Sequence, residues 1–305
     1  MKYKAIIPPV DKQLLKAELN EKTFLRKTRK GDNEIYCVNI HNAPNVVREI
    51  GRLREITFRD AGGGTGMELD LDEFDTEEVC YNQLLLWSPE LEEIIGGYRY
   101  ILCRDSMVGD EIKLSTTHYF NFSKEFIENY LPTTIELGRS WIQPKFQPTN
   151  DRRMGLYALD NIFDGLGGLV KQFPDIKFFF GKFTMYPSYN KLARNYLLQF
   201  LNYYFPDEGN LVRPIHALDY VEGDDFAQRD LKDVPYKEGY RKLNAFLKQK
   251  GEFVPPLVNI YMNLSPTMKT FGTCINRDFG NVEETGILIR IADIFDDKKE
   301  RHLNY

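Results

Sequence analysis

Between Lys177 and Phe205 the chain carries a strongly apolar strand segment, Lys177 to Met185, followed at once by an amphipathic helix. In that helix Leu192, Tyr196, Leu197, Phe200, Leu201 and Tyr204 fall on one stripe. A strand this apolar belongs inside a sheet, and the stripe shows a helix built to lie against one. Strand patterning recurs at Tyr81 to Trp87, Tyr98 to Cys103, Thr134 to Ile142 and Gly286 to Ile294. Helical spacing recurs over 44–60 and, despite interior glycines, over Tyr157 to Phe173. Glu90 to Gly97 reads as a hairpin-like turn. Interleaved strands and helices predict an α/β class with a mixed sheet. We expect one domain over residues 1–305, with an N-terminal extension, 1–43, and an acid-rich insertion at about 206–238.

Composition narrows the partners. A formal net charge of -5 argues against a non-specific nucleic-acid binder, which needs a basic footprint. The exception is Lys22 to Lys30, a basic run that suits a solvated face or a dock for an acidic partner. Cys37, Cys80, Cys103 and Cys274 form no C-x-x-C, and the four histidines are scattered, so no metal site is expected. Met1 to Val10 has no signal-peptide pattern, and no stretch reaches the ~20 apolar residues of a membrane span. The expected location is cytoplasmic, compatible with peripheral contact to a membrane.

Two motifs fail on inspection. Gly62-Gly63-Gly64-Thr65-Gly66 lacks the Gly-Lys-Ser/Thr ending of a phosphate loop and runs into Glu68, Asp70 and Asp72, so it reads as a flexible turn. Asp70 to Asp75 starts like a calcium loop, but Phe74 and Asp75 occupy the fifth and sixth positions, where a ligand and a glycine belong.

Four signals remain. Arg54 precedes Phe58 by four residues on a helix, which puts guanidinium and ring on one face. Asp70, Asp72 and Asp75 form an acidic run. Gly96-Gly97-Tyr98-Arg99 opens a strand, and Glu136 and Arg139 flank a short strand segment. Singly, each is what a solvated surface also gives. In this order they resemble the acyl-homoserine-lactone synthases and the ornithine-lipid and glycine-lipid type (hemolysin-like) N-acyltransferases. Those families share an Arg-x-x-x-Phe helix, an Asp-x-x-Asp segment, a Gly-x-x-Arg strand and a Glu-x-x-Arg strand. Val254 to Met262 and Arg277-Asp278-Phe279-Gly280 resemble the tail of the lipid-making branch. A tryptophan that the signal synthases carry after the Arg-x-x-x-Phe helix is missing here.

The resemblance implies a GNAT-like mixed central sheet with splayed middle strands and flanking helices, Tyr98–Cys103 and Thr134–Ile142 being the strands that part. It implies transfer of a (3-hydroxy)fatty acyl group from acyl carrier protein to the amine of an amino acid. Arg152 to Tyr157 matches the acetyl-CoA loop only in part, which favours a carrier-bound acyl-phosphopantetheine as donor substrate, with no cofactor beyond it. Such a reaction needs a neutral amine, and an α-amine of pKa ~8 is only about one-tenth neutral at pH 7. Glu136 is the candidate base, with Arg139 and Arg99 beside it. Arg54 or Arg99 could clamp the acceptor carboxylate, with Phe58, Asp70, Asp72 and Asp75 completing the substrate site. Arg152 and Arg153 are candidates for docking an acidic carrier. The competing readings are a CoA-dependent small-amine acetyltransferase, a non-catalytic acyl- or lipid-binding module, and a signal synthase.

Overall fold

The computed structural model describes residues 3–147, 152–219 and 225–303, and the side chains of 152–156 stand outside the description together with the remaining residues. The chain begins with helix α1 (Lys12–Glu18) and strands β1 (Phe24–Lys27) and β2 (Glu34–Val38), then α2 (Pro44–Asp60) and the one-turn α3 (Glu73–Thr76). Strands β3 (Asn82–Ser88) and β4 (Glu93–Leu102) form a hairpin. Small strands β5 (Met107–Val108), β6 (Glu111–Ile112) and β7 (Phe120–Phe122) lead to β8 (Thr134–Ile142), α4 (Arg152–Gln172), β9 (Phe178–Met185) and α5 (Lys191–Tyr204). After β10 (Val212–Pro214) come α6 (Tyr236–Gln249), α7 (Pro256–Met262), β11 (Lys269–Asn276), β12 (Val282–Arg290) and α8 (Asp296–His302).

Eight strands make one sheet in the order β1-β2-β3-β4-β8-β9-β12-β11. All pairs are antiparallel except β8 and β9, which run parallel. One face is covered by α4, α5 and the C-terminal helices, with Leu84, Tyr98, Leu137, Phe179 and Ile287 packed among them. The other face carries α2 over β3 and β4, and the 101–131 region with β7 and β10 over β9 and β11. The α2 stripe of Val46, Val47, Ile50, Leu53 and Phe58 is buried as its spacing predicts. Pro44 sits at its first position, and the Glu18 carboxylate accepts hydrogen bonds from the first-turn amides of Asn45 and Val46, which have no partner within the helix.

The mixed sheet with flanking helices is the expected α/β, GNAT-like class, but the strands that part differ from the expectation. β4 and β8 remain paired from Gly96↔Ile142 to Leu102↔Ile135. The splay lies between β8 and β9, whose ladder runs only from Thr134↔Phe178 to Leu137↔Gly181. The cause is a bulge. Arg139 has φ 47°, a left-handed conformation unusual for a residue with a side chain, and the β4 register shifts opposite it. The bulge bends β8 away from β9 just past Gly138.

Other segments also sit differently from the sequence reading. Within residues 1–43, β1 is the edge strand of the main sheet and β2 lies between it and β3, and within 206–238, β10 pairs with β7. β4 begins at Glu93, which leaves four residues, 89–92, for the hairpin turn. That tight β3–β4–β8 packing explains the glycine pair. A Cβ on Gly96 would meet the Trp141 carbonyl oxygen at 2.3 Å, and one on Gly97 the Leu84 carbonyl oxygen at 2.4 Å. The glycine loop after α2 is tied down by the buried Glu55. Its carboxylate accepts from Thr65 N at 3.0 Å, Thr65 Oγ1 at 2.8 Å and Gly66 N at 2.8 Å, and Arg59 Nε binds it at 2.6 Å.

Candidate active site

Three arginines and three aspartates from four separate stretches meet beside the parted strands. Arg54, on α2, is fully buried. Its Nε donates to Asp70 Oδ2 at 2.7 Å, and Nη1 and Nη2 grip the two oxygens of Asp75 at 3.2 Å each. Arg99, on β4, donates from Nη1 to Asp72 at 2.6 Å and to Asp75 at 3.2 Å. Arg139 donates from Nε to Asp70 at 2.9 Å, and its Nη2 lies 3.6 Å from Asp72. Asp75 also receives Gln83 Nε2 at 2.8 Å and closes the α3 capping box with Asp72.

Charges so deeply buried persist only when paired and hydrogen-bonded. Burial by itself would lift the pKa of Asp70, but Arg139 and Arg54 outweigh it and hold the carboxyl below the usual range. Asp75 shows the same balance, with burial opposed by Arg54 and Arg99. Burial likewise opposes the charge of Arg54, and Asp70 and Asp75 overcome it, raising its pKa.

The structure thus brings Arg54, Arg99, Arg139, Asp70, Asp72 and Asp75 into one network, with Phe58 alongside. It does not bring all of them to open space. Arg99, Arg139 and Phe58 line a cleft of about 430 Å³ that fills the gap between β8 and β9. Asp72 lines an adjoining polar recess of about 260 Å³, which shares Arg99, Ser115, Arg139 and Lys182 with the cleft. Arg54, Asp70 and Asp75 lie behind this wall. Arg139 stacks over the Phe279 ring at 4.3 Å, and Phe279 packs edge-on to Phe58 with centroids 5.1 Å apart. Arg99 lies over Tyr81 at 4.9 Å, and its buried Nε has no hydrogen-bond partner among the described residues.

Glu136 is on the same sheet face, two residues before Gly138, and is fully buried. Its carboxylate accepts from Tyr81 Oη at 2.7 Å, Ser115 Oγ at 2.8 Å and Thr116 Oγ1. Glu136 is therefore walled off by hydroxyls, and of these Ser115 lines both the cleft and the recess. Burial first, and then the Glu136 charge, push the Tyr81 phenol well above its ordinary pKa, so that it stays a donor. Arg152 and Arg153 begin α4, and their side chains lie outside the described residues.

Several cleft residues were not singled out from the sequence as site residues: Ser115, Tyr119, Lys182, Tyr186, Phe279 and Glu284. The available signal was a lone charge, Lys182, in the otherwise uncharged β9, and a buried Glu284 beside Glu283 at the start of β12. A third space, a narrow apolar slot of about 60 Å³ between α4, α7 and the sheet, shares Gly138, Ser140 and Lys182 with the cleft. Phe163, Leu166, Phe179, Ile287 and Ile289 are among its walls. No helix among the described residues is long and apolar enough to cross a membrane.

A sheet that parts between a parallel pair, with an apolar slot on one side of the gap and arginines on the other, defines an acyl-transferring enzyme of the GNAT class. Residues 53–154 match the acetyltransferase (GNAT) domain family. Over 303 residues the chain is 54% identical to a glycine N(alpha)-acyltransferase of Bacteroides thetaiotaomicron, covering 98% of this chain and 89% of that protein. It is 49% identical over 306 residues to a Phocaeicola vulgatus protein of the same name, covering 98% and 92%. The chain belongs to this family of GNAT N-acyltransferases. No solved structure matches it.

Proposed function

We propose that the protein transfers a (3-hydroxy)fatty acyl group from acyl carrier protein to the amino group of glycine, a step of aminolipid biosynthesis. The observation that carries this reading is the junction at Gly138, Ser140 and Lys182, residues that line both the narrow apolar slot and the arginine-lined cleft. The names of the two relatives supply the acceptor. A hydrocarbon chain in the slot gains ~0.8 kcal/mol for each methylene buried. The phosphopantetheine arm lies in the gap between β8 and β9, and the acidic carrier docks at the surface near Arg152 and Arg153.

In this reading Arg139, with its side chain 14% exposed, receives the acceptor carboxylate, and Arg99, which lines the same cleft, adds positive charge beside it. Arg54 and the three aspartates hold these two arginines in place. The amine nitrogen attacks the thioester carbonyl, the C–N bond forms and the C–S bond breaks. Two protons leave the ammonium nitrogen. One passes through Ser115 to Glu136, and the other ends on the departing thiolate.

The test is direct. Purified protein is mixed with acyl carrier protein thioesters or acyl-CoA and with glycine, serine or ornithine, and N-acyl products are read by mass spectrometry. N-acylglycine from the carrier-bound donor is expected. No N-acyl amino acid from any donor would sink the reading. Glu136→Gln should lower kcat by about 10²-fold with the fold retained, and an unchanged rate would remove the relay. Reversing Arg152 and Arg153 to Glu should raise KM for the carrier-bound donor only.

A further inference from the structure

The far wall of the gap holds a charge pair that the scheme above does not use. Lys182 on β9 and Glu284 on β12 stand on the same sheet face, because Lys182 pairs with Gly286 and Thr184 with Glu284 in the antiparallel ladder. Lys182 Nζ forms an ion pair with Glu284 Oε2 and lies 5.0 Å from the centre of the Tyr119 ring. Asn276 Nδ2 fixes the other oxygen, Oε1, at 3.0 Å.

Glu284 is 1% exposed, and its Oε2 has the Lys182 ammonium as its one partner among the described residues. This carboxylate lines the cleft, as does Arg139 on the opposite wall, and Lys182 touches all three spaces at the junction. The two walls face the same volume. Burial and Glu284 both lift the pKa of Tyr119 and of Tyr186, the latter to about 12, while Arg139 pulls both down, so the two charges reach the same two rings. A carboxylate has about four acceptor sites, so with one donor on each oxygen Glu284 keeps lone pairs for a further cation. The Glu136 carboxylate cannot receive an amine directly, because three hydroxyls already occupy it.

We propose that Glu284 is the acceptor's ammonium-binding group, so that a small zwitterionic amino acid spans the gap with its carboxylate at Arg139 and its amino group at Glu284. The inference rests on the amino-acid acceptor proposed above. It explains why a lysine stands beside Glu284. Lys182 neutralises the carboxylate when the site holds no acceptor and yields Oε2 to the incoming ammonium. It also explains why the acceptor nitrogen is delivered next to the junction where the acyl carbonyl arrives.

The experiment compares Glu284→Gln, and the double variant Lys182→Met with Glu284→Gln, against the wild-type enzyme in steady-state acylation of glycine. For Glu284→Gln, KM for glycine should rise about 10- to 100-fold while KM for the acyl donor stays within about twofold. The double variant buries no lone charge, so it controls for folding. If Glu284 served only to neutralise Lys182, the double variant would recover the wild-type KM for glycine, and the proposal would be overturned. Persistence of the raised KM supports it. Inhibition by propionate, which replaces the ammonium by a methyl group, should be unchanged in Glu284→Gln. A parallel loss of glycine and propionate binding would overturn the assignment. If the wild-type enzyme acylates no amino acid at all, the acceptor reading falls and takes this one with it. If it acylates glycine and Glu284→Gln keeps the wild-type KM, this inference alone falls.

Discussion

On the β4–β8 side of the gap, Arg54, Asp70 and Asp75 are buried, and each is held by at least two opposite charges. On the β9–β12 side, one lysine meets one carboxylate, and the carboxylate has hydrogen-bonding capacity left over. The first wall is closed electrostatically, since its charges cancel internally and only Arg139 and Arg99 reach the cleft. The second wall is open to an incoming group. A closed network suits positioning, because its members have few alternative partners, and an open pair suits exchange with a ligand. The contrast assigns the Arg/Asp cluster mainly to architecture and the sparser pair to binding.

The comparison breaks most sharply at Arg54. Replacing it by methionine leaves Asp70 and Asp75 buried with fewer cations, and should cost about 3–5 kcal/mol of unfolding free energy in a urea titration. Lys182→Met leaves a single buried carboxylate, Glu284, which keeps its Asn276 hydrogen bond at the wall of the cleft, and should cost less, about 1–3 kcal/mol, while acylation falls steeply. Equal stability losses would erase the distinction between the walls.

Acid sharpens the same comparison. Asp70 and Asp75 have depressed pKa values in the folded protein, so they bind fewer protons than in the unfolded chain. Their contribution is complete above the unfolded carboxylate value near ~4 and is lost as pH falls below it, toward the depressed folded values. Stability should therefore hold between about pH 5 and 8 and decline below about pH 4, by ~1.4 kcal/mol per pH unit for each group. A variant with Asp70 and Asp75 both changed to Asn should show a shallower acid limb. An identical slope would mean that other carboxylates drive the acid transition.

The residues of the closed wall stood out in the sequence as short motifs whose order resembles known acyltransferases, although their burial behind the cleft did not. Arg54 and Phe58 are one helical turn apart, and Asp72 and Asp75 span a one-turn helix. Glu136 and Arg139 are three apart, which on a regular strand would place them on opposite faces. The bulge at Arg139 turns its side chain toward Asp70, and nothing in the local spacing announces that turn. It also moved the splay from β4/β8 to β8/β9. The open wall was not legible, because Lys182 and Glu284 meet only through the pairing of strands about a hundred residues apart. Nor could the spacing reveal that Tyr81, Ser115 and Thr116 would enclose Glu136, since two of them come from a 3₁₀ turn that packs there only in the folded chain.

The smallest expected effect concerns the loop that roofs the closed wall. Glu55 binds the amides of Thr65 and Gly66 and the Thr65 hydroxyl, and the loop it fixes sets Gly63 against the 277–280 turn that carries Phe279. A Cβ on Gly280 would lie 3.0 Å from Gly63 Cα, so the two segments interlock at backbone distance. Phe279 in turn stacks on Arg139. Glu55→Gln keeps the shape but replaces one acceptor oxygen by an amide donor facing other donors, at a cost of about 1–2 kcal/mol. The effect should be local. Hydrogen exchange at Thr65 and Gly66 should rise by about 5- to 30-fold while amides of β4 and β8 keep their protection. If the loop anchors Phe279 as the contacts indicate, KM for the acceptor should rise with loop opening, because the ring that braces Arg139 loses its backing. Fast exchange at Thr65 and Gly66 with an unchanged acceptor KM would detach the loop from the site and leave Arg139 to be held by Asp70 and Asp72 alone.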